Sequence, residues 1–252
     1  ERIHLFFNNN ENPWGDVIMQ MRESIYSHNW TKDLVHGEDL EHIKHHNDKL
    51  KENSTKRYEL EAIPFAYSAN ILRAKVVILT LNPGYNKLTN KILFNFLDDK
   101  YKEEIFEARI KDFQFDESKG LHISDIEQLL DCGYWERRIS PLWNEAGLTR
   151  EHVLQNIAML QYVGYHSVAY KADKVNLPTT EYAKNILKFL ANNSDCIFFI
   201  GRCKEWRKLL EEFNVSPDRI IVNDNRSQHL TLKNIKSEGF NKIVDILKST
   251  SK

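Results

Sequence analysis

No apolar run in this chain approaches the roughly 20 consecutive residues of a membrane-spanning helix. The opening stretch ERIHLFFNNNENPW is too short in its apolar part to read as a secretory signal. Cysteine is scarce: Cys132, Cys196 and Cys203 are odd in number, far apart and without paired spacing. That argues against a Cys-ligated zinc or an iron–sulfur centre, and for reduced thiols in a cytoplasmic setting. Net charge is nearly absent at −1, so no global field draws the protein to nucleic acid. Residues 223 to 252 nevertheless carry six Lys/Arg against three Asp/Glu, which leaves room for a locally basic end. GxxxxGK[ST] and GxGxxG loops are missing, which argues against nucleoside triphosphates and dinucleotides as ligands. No GxSxG elbow offers a serine nucleophile.

What remains is an ordinary globular composition. The 252 residues are 41% hydrophobic and 28% charged, enough for one α/β domain, or two small ones, with a real core. Residues 12 to 28 read as a helix with Ile18, Met21 and Ile25 on one face and Asn12 as its cap. A very polar helix follows over 38 to 53. Strands are expected at 75 to 81, 156 to 163, 196 to 201 and 219 to 222. Helices are expected at 88 to 111, 124 to 131, 134 to 146, 179 to 192, 203 to 213 and 234 to 248. Continuous apolar strands alternating with helices predict a parallel sheet covered on both faces. Ligands bind such sheets beyond the carboxyl ends of the strands. The polar residues there are Asn82, Tyr165, His166, Ser167, Asn223, Asn225, Arg226, Gln228 and His229, with Gln161 inside the second strand.

The stretch VVILTLNPGYN, residues 76 to 86, is the most specific of these segments. A turn needs only Pro or Gly, so an asparagine ahead of both invites a chemical role. KVVILTLNPGYN resembles the first motif of the uracil-DNA glycosylase superfamily, in the Asn-Pro-Gly form of its mismatch-specific branch. IPFAYSANILRAK resembles the segment leading into that motif. VNDNRSQHLTLKN stands where the second motif lies, although neither His-Pro-Ser nor Asn-Pro-Ser is present. The resemblance covers residues 60 to 248 in outline. It implies a three-layer α/β sandwich with a central four-stranded parallel sheet, uracil-DNA glycosylase-like. Residues 1–58 are then an N-terminal helical extension and 59–252 the glycosylase-like domain.

The activity implied is excision of a flipped pyrimidine, uracil or a 5-substituted derivative, to leave an abasic site. DNA repair and defence against modified phage DNA would both use it. Asn82 orients a water through its carbonyl, since an amide cannot take a proton as a carboxylate can; alternatively it only stabilises the turn. Gly84 leaves room where the uracil-specific branch has a tyrosine, or simply serves a positive-φ turn. Tyr85, Phe94, Gln161 and His166 complete the implied base pocket. Phe94 is the stacking aromatic, with Phe96 in reserve, and Gln161 reads the pyrimidine edge. The ordinary alternatives are helix core for Phe94, a satisfied core amide for Gln161 and a loop cap for His166.

In the last loop, His229, Asn223 and Asn225 compete to stabilise the departing base. Leu230 is expected to wedge into the stack, with Arg226, Gln228 and Lys233 on the DNA backbone. His42, His45 and His46 share a helical face, but without an HExxH arrangement a solvated helix is the better reading. Trp135, Ile139, Leu142 and Trp143 read as core. No metal or organic cofactor is required. DNA, duplex or single-stranded, is the expected partner of a monomeric protein without a membrane association. Two other functions stay open: a protein that binds nucleic acid or a modified base without cleaving it, and a nucleoside hydrolase on a similar sheet.

Overall fold

The computed structural model describes residues 6–7, 10–30, 33–116, 118, 120–121, 134–170, 176–201, 203–223 and 229–249. The helix expected at 124–131 lies outside them, as do Cys132, Asn225, Arg226 and Gln228. The chain is α/β, with a four-stranded all-parallel sheet flanked by helices. It folds as two compact units, each discontinuous in sequence. The first comprises Glu1–Tyr67, Leu81–Gln114 and Gln161–Leu187; the second comprises Ser68–Thr80, Phe115–Leu160 and Lys188–Lys252.

The second unit carries the sheet. Its strands are β1 (Val76–Thr80), β2 (Ile157–Gln161), β3 (Ile197–Ile200) and β4 (Ile220–Val222), in the order β2-β1-β3-β4. Val76 pairs with Ile197 and Leu79 with Ile200, and Phe198 pairs with Ile220. β1, β2 and β3 are buried almost throughout, as continuous apolar strands covered on both faces must be. β4 is a short edge strand that exposes Val222. Around the sheet in this unit are α5 (Tyr134–Ile139), α6 (Pro141–Asn144), α7 (Arg150–Asn156), α9 (Lys204–Glu212) and α10 (Leu232–Lys248). Asn70 braces the turn from α7 into β2, its amide donating to the Gln155 and Ile157 carbonyls at 2.9 Å each.

The first unit holds α1 (Gly15–Ser27), α2 (Gly37–Asp48), α3 (Lys87–Phe96) and α4 (Asp99–Phe113). A further helix, α8 (Pro178–Asn193), begins in this unit. α1 packs on α4. Trp14, immediately before α1, stacks on Phe113 with ring centres 4.4 Å apart. Asn12 is not the cap that was expected: Trp14 holds that position, and Asn12, two residues ahead, shapes the entry to α1 by accepting from the Trp14 N–H at 3.0 Å. Gly164 permits the close approach of the Trp14 indole, because a Cβ there would lie 2.8 Å from the ring.

Two expected helices are corrected and one is added. The segment read as one helix over 88 to 111 is two, because Leu97 and Asp98 are extended and Asp98 starts a new helix. The segment 134 to 146 breaks at Ser140 because Pro141 opens α6. α7 was not foreseen, although Thr149 caps it by accepting from the His152 N–H at 3.2 Å. α2 is less solvated than its composition suggests, since Asp39, Ile43 and His46 are buried. No helix among the described residues is long and apolar enough to cross a membrane.

Candidate active site

The strand order reverses at β1, which has β2 on one side and β3 on the other. In open parallel sheets ligands collect beyond the carboxyl ends of strands at such a switch point. The chain leaves β1 there directly into Leu81-Asn82-Pro83-Gly84.

Three segments of the first unit lie side by side around that turn. Gly84 bridges Ser167 in parallel fashion, and Glu59 bridges His166 in antiparallel fashion. Main-chain bonds fix the register: Glu59 N–H to His166 O at 2.8 Å, Tyr85 N–H to Ser167 O at 3.1 Å and Val163 N–H to Leu81 O at 2.8 Å. The His166 ring staples the set, with Nδ1 2.8 Å from Gly84 O and Nε2 2.9 Å from Ile63 O. Carbonyls only accept, so a neutral ring donates to one of them and a doubly protonated ring to both, and these two carbonyls pull the His166 pKa upward. Burial pulls the other way and prevails, holding it below the ordinary histidine range.

Asn82 is half-buried within this frame. Its Nδ2 donates to Ser167 Oγ at 2.8 Å and Pro83 O at 3.0 Å, with Tyr165 O at 3.4 Å. Two of these acceptors are carbonyls, so the amide nitrogen must face them and Oδ1 must point the other way. Oδ1 takes no bond from any described residue. The arrangement leaves one oriented acceptor at the end of β1, suited to holding a water or a substrate N–H.

Beneath the turn, Tyr165 is buried and donates its hydroxyl to Asp39 Oδ2 at 2.7 Å, which also accepts from Thr179 Oγ1 at 2.6 Å. Burial raises the Asp39 pKa against the opposing effect of those two donors. Beside the turn, Tyr85 donates its hydroxyl to Glu61. Burial, and then that carboxylate, push the Tyr85 hydroxyl pKa upward, so it stays a neutral donor. Burial and the neighbouring Glu61 likewise raise Glu59, while Arg57 and Lys87 oppose them.

Of the expected site residues, the catalytic candidate Asn82 and the base-binding candidates Gly84, Tyr85 and His166 come together. Gly84 is exposed, its φ lies outside the left-handed region, and an added Cβ would meet nothing within 4 Å. The positive-φ account of this glycine is therefore wrong. Gln161 is buried at the end of β2, its N–H donating to Ala66 O at 2.7 Å. Phe94 is corrected to helix core: it is buried, edge-on to Phe106 with ring centres 6.5 Å apart, and offers a base no open face. Phe96 is the exposed aromatic of α3, at 71%.

The second unit holds the remaining residues. Asn223 is fully buried and donates its N–H to Ile200 O at 2.8 Å. His229 is half-buried; burial and the nearby Arg138 and Arg137 lower its pKa, which leaves a neutral ring with one N–H to donate. Leu230 is corrected from wedge to core, because it has no exposed surface and its N–H is held by Arg138 O at 2.8 Å. Lys233 is exposed in the first turn of α10.

Sequence reasoning gave no role to Ser167, Asp39, Glu59 or Glu61. The alternation Glu59-Leu60-Glu61 was a visible signal for the last two. Nothing in the sequence marked Asp39 apart from the other acids of its polar helix. Of the three histidines in α2, His46 turns inward and bonds Lys56 O at 3.1 Å. Among the described residues no group of three or more His, Cys, Asp or Glu is placed to hold a metal ion. No protein-family model, curated protein or solved structure matches the chain.

Proposed function

We propose that this chain is a monofunctional DNA N-glycosylase, acting in the cytoplasm, that flips out uracil or a 5-substituted pyrimidine and hydrolyses its base–sugar bond. One observation carries the reading. Asn82 stands two residues after β1, the strand at which the sheet order reverses, and its amide nitrogen is tied to Ser167 Oγ and Pro83 O, which leaves Oδ1 with no bond from any described residue. Breaking the bond develops positive charge on the sugar and negative charge on the base. A water held by Asn82 Oδ1 adds to the sugar carbon and loses its proton afterwards, because the amide cannot accept it. Positioning then does most of the work. Glu59 and Glu61 flank the same turn, and carboxylates there favour a cationic sugar.

The test is a panel of single-stranded and duplex oligonucleotides bearing uracil, thymine mismatches and 5-modified cytosines, treated with alkali to reveal abasic sites. The wild type is expected to yield alkali-labile product from at least one of them. Asn82→Ala is expected to lose about 10²-fold in single-turnover rate while still binding DNA. Binding without any abasic product would make the chain a base-binding module. Cleavage of free nucleosides alone would make it a nucleoside hydrolase.

A further inference from the structure

A side chain that fills the gap behind a flipped base must be apolar, exposed and carried on rigid backbone near the reacting centre. Leu230 fails the second requirement. Leu88 meets all three. It stands six positions after Asn82 in the same compact unit and is 66% exposed. Its backbone is pinned because Asn86 Oδ1 caps α3, accepting from the Leu88 N–H at 3.0 Å and the Thr89 N–H at 3.2 Å. α3 buries Asn90, Leu93 and Phe94, and the helical period puts Leu88, Lys91 and Asn95 on the opposite, exposed face.

A lone exposed leucine would need no explanation. This one has company on both sides of the turn. Val168, 57% exposed, follows the Ser167 that bridges Gly84. Lys87 and Lys91 are exposed, and no acidic residue occurs from Lys87 to Leu97. Of the nearby carboxylates, Glu61 is engaged by Tyr85, and Glu59 feels the Lys87 charge. An apolar tip beside a pair of cations is complementary to a nucleic-acid strand, which offers base faces next to phosphates.

We propose that the exposed face of α3 is the surface that engages DNA, with Leu88 entering the base stack and Lys87 and Lys91 on the flanking phosphates. The proposal rests on the glycosylase reading, and its test separates the two. Excision is measured under single-turnover conditions on fully paired, mismatched and single-stranded substrates, with a fluorescent 2-aminopurine beside the target reporting extrusion. Leu88→Ala is expected to slow paired-duplex excision about tenfold and to reduce the extrusion signal. It should leave mismatched and single-stranded substrates within about twofold, because extrusion is already easy there. Lys87→Ala and Lys91→Ala are expected to weaken binding to all substrates alike. Each should lower the salt-dependence slope by about one. Equal losses on every substrate, or none on the paired duplex, for Leu88→Ala in an otherwise active protein would overturn this assignment and leave the glycosylase reading standing. A wild type that neither binds nor cleaves any oligonucleotide would overturn both.

Discussion

An asparagine amide has two ends that differ only in what they bond, and the surroundings of Asn82 decide which end is left over. Ser167 Oγ, Pro83 O and Tyr165 O all claim the nitrogen. Ser167 is thus a positioning residue. Gly84, two residues on, is not demanded by its backbone, since its φ is ordinary and the space around it is open. A tyrosine is therefore expected to fit there with a stability change within about 0.5 kcal/mol. Its ring would take the volume that a substituent on the pyrimidine needs. Gly84→Tyr should keep excision of uracil and reduce excision of 5-substituted pyrimidines by more than about tenfold. Parallel rate measurements on the two substrates decide it. Equal losses on both would show that residue 84 does not border the base.

At the scale of elements, helix ends were written in single residues: Pro141 opens α6, Thr149 caps α7 and Asn86 caps α3. α10 contains a different feature. Lys236 sits at φ 59° and ψ 165°, a conformation that belongs to glycine and interrupts the helix. Holding a side chain there costs about 1–3 kcal/mol. Glycine would relieve this but loses about 0.5–1 kcal/mol in backbone entropy on folding. The strain is the larger quantity, so Lys236→Gly is expected to stabilise the protein by about 1 kcal/mol. Thermal unfolding should register a rise of about 2–4 °C. A fall in the midpoint would mean that residue 236 is helical in solution.

For the molecule as a whole, buried titratable groups set how stability follows pH. Burial lowers the pKa of His166 and of His229. The folded state thus binds these protons less readily than the unfolded chain, whose histidines titrate near about 6.5. Their contribution is complete above that pH and is lost as pH falls through the lowered native values. Asp39 and Glu59 act in the opposite sense. Their raised pKa values give stability that is present at low pH and lost as pH rises through the native values. Acidifying from about pH 7.5 to 5.5 passes through the unfolded histidine value and therefore incurs the histidine loss. Replacing His166 removes one loss. His166→Gln should lose less stability over that interval than the wild type, as measured by urea unfolding at both pH values. Identical pH slopes would show that His166 does not titrate differently in the two states.

Periodicity and composition by themselves determined the class of fold. Four apolar runs at the expected places became the four parallel strands, because a strand covered on both faces must be apolar throughout. The Asn-Pro-Gly turn was legible for a similar reason: position after a strand is a property of the chain, and so is residue type. Tertiary structure alone decided which side chains face outward. Leu230 and Phe94 look as suitable in sequence as Leu88 and Phe96, yet the first pair is buried and the second exposed. Burial depends on what other segments cover a residue, and those segments lie far away along the chain. The same holds for Asp39, whose partners Tyr165 and Thr179 stand more than a hundred positions later. It holds equally for Asn82, whose amide is oriented by Ser167, a residue that only folding brings to it.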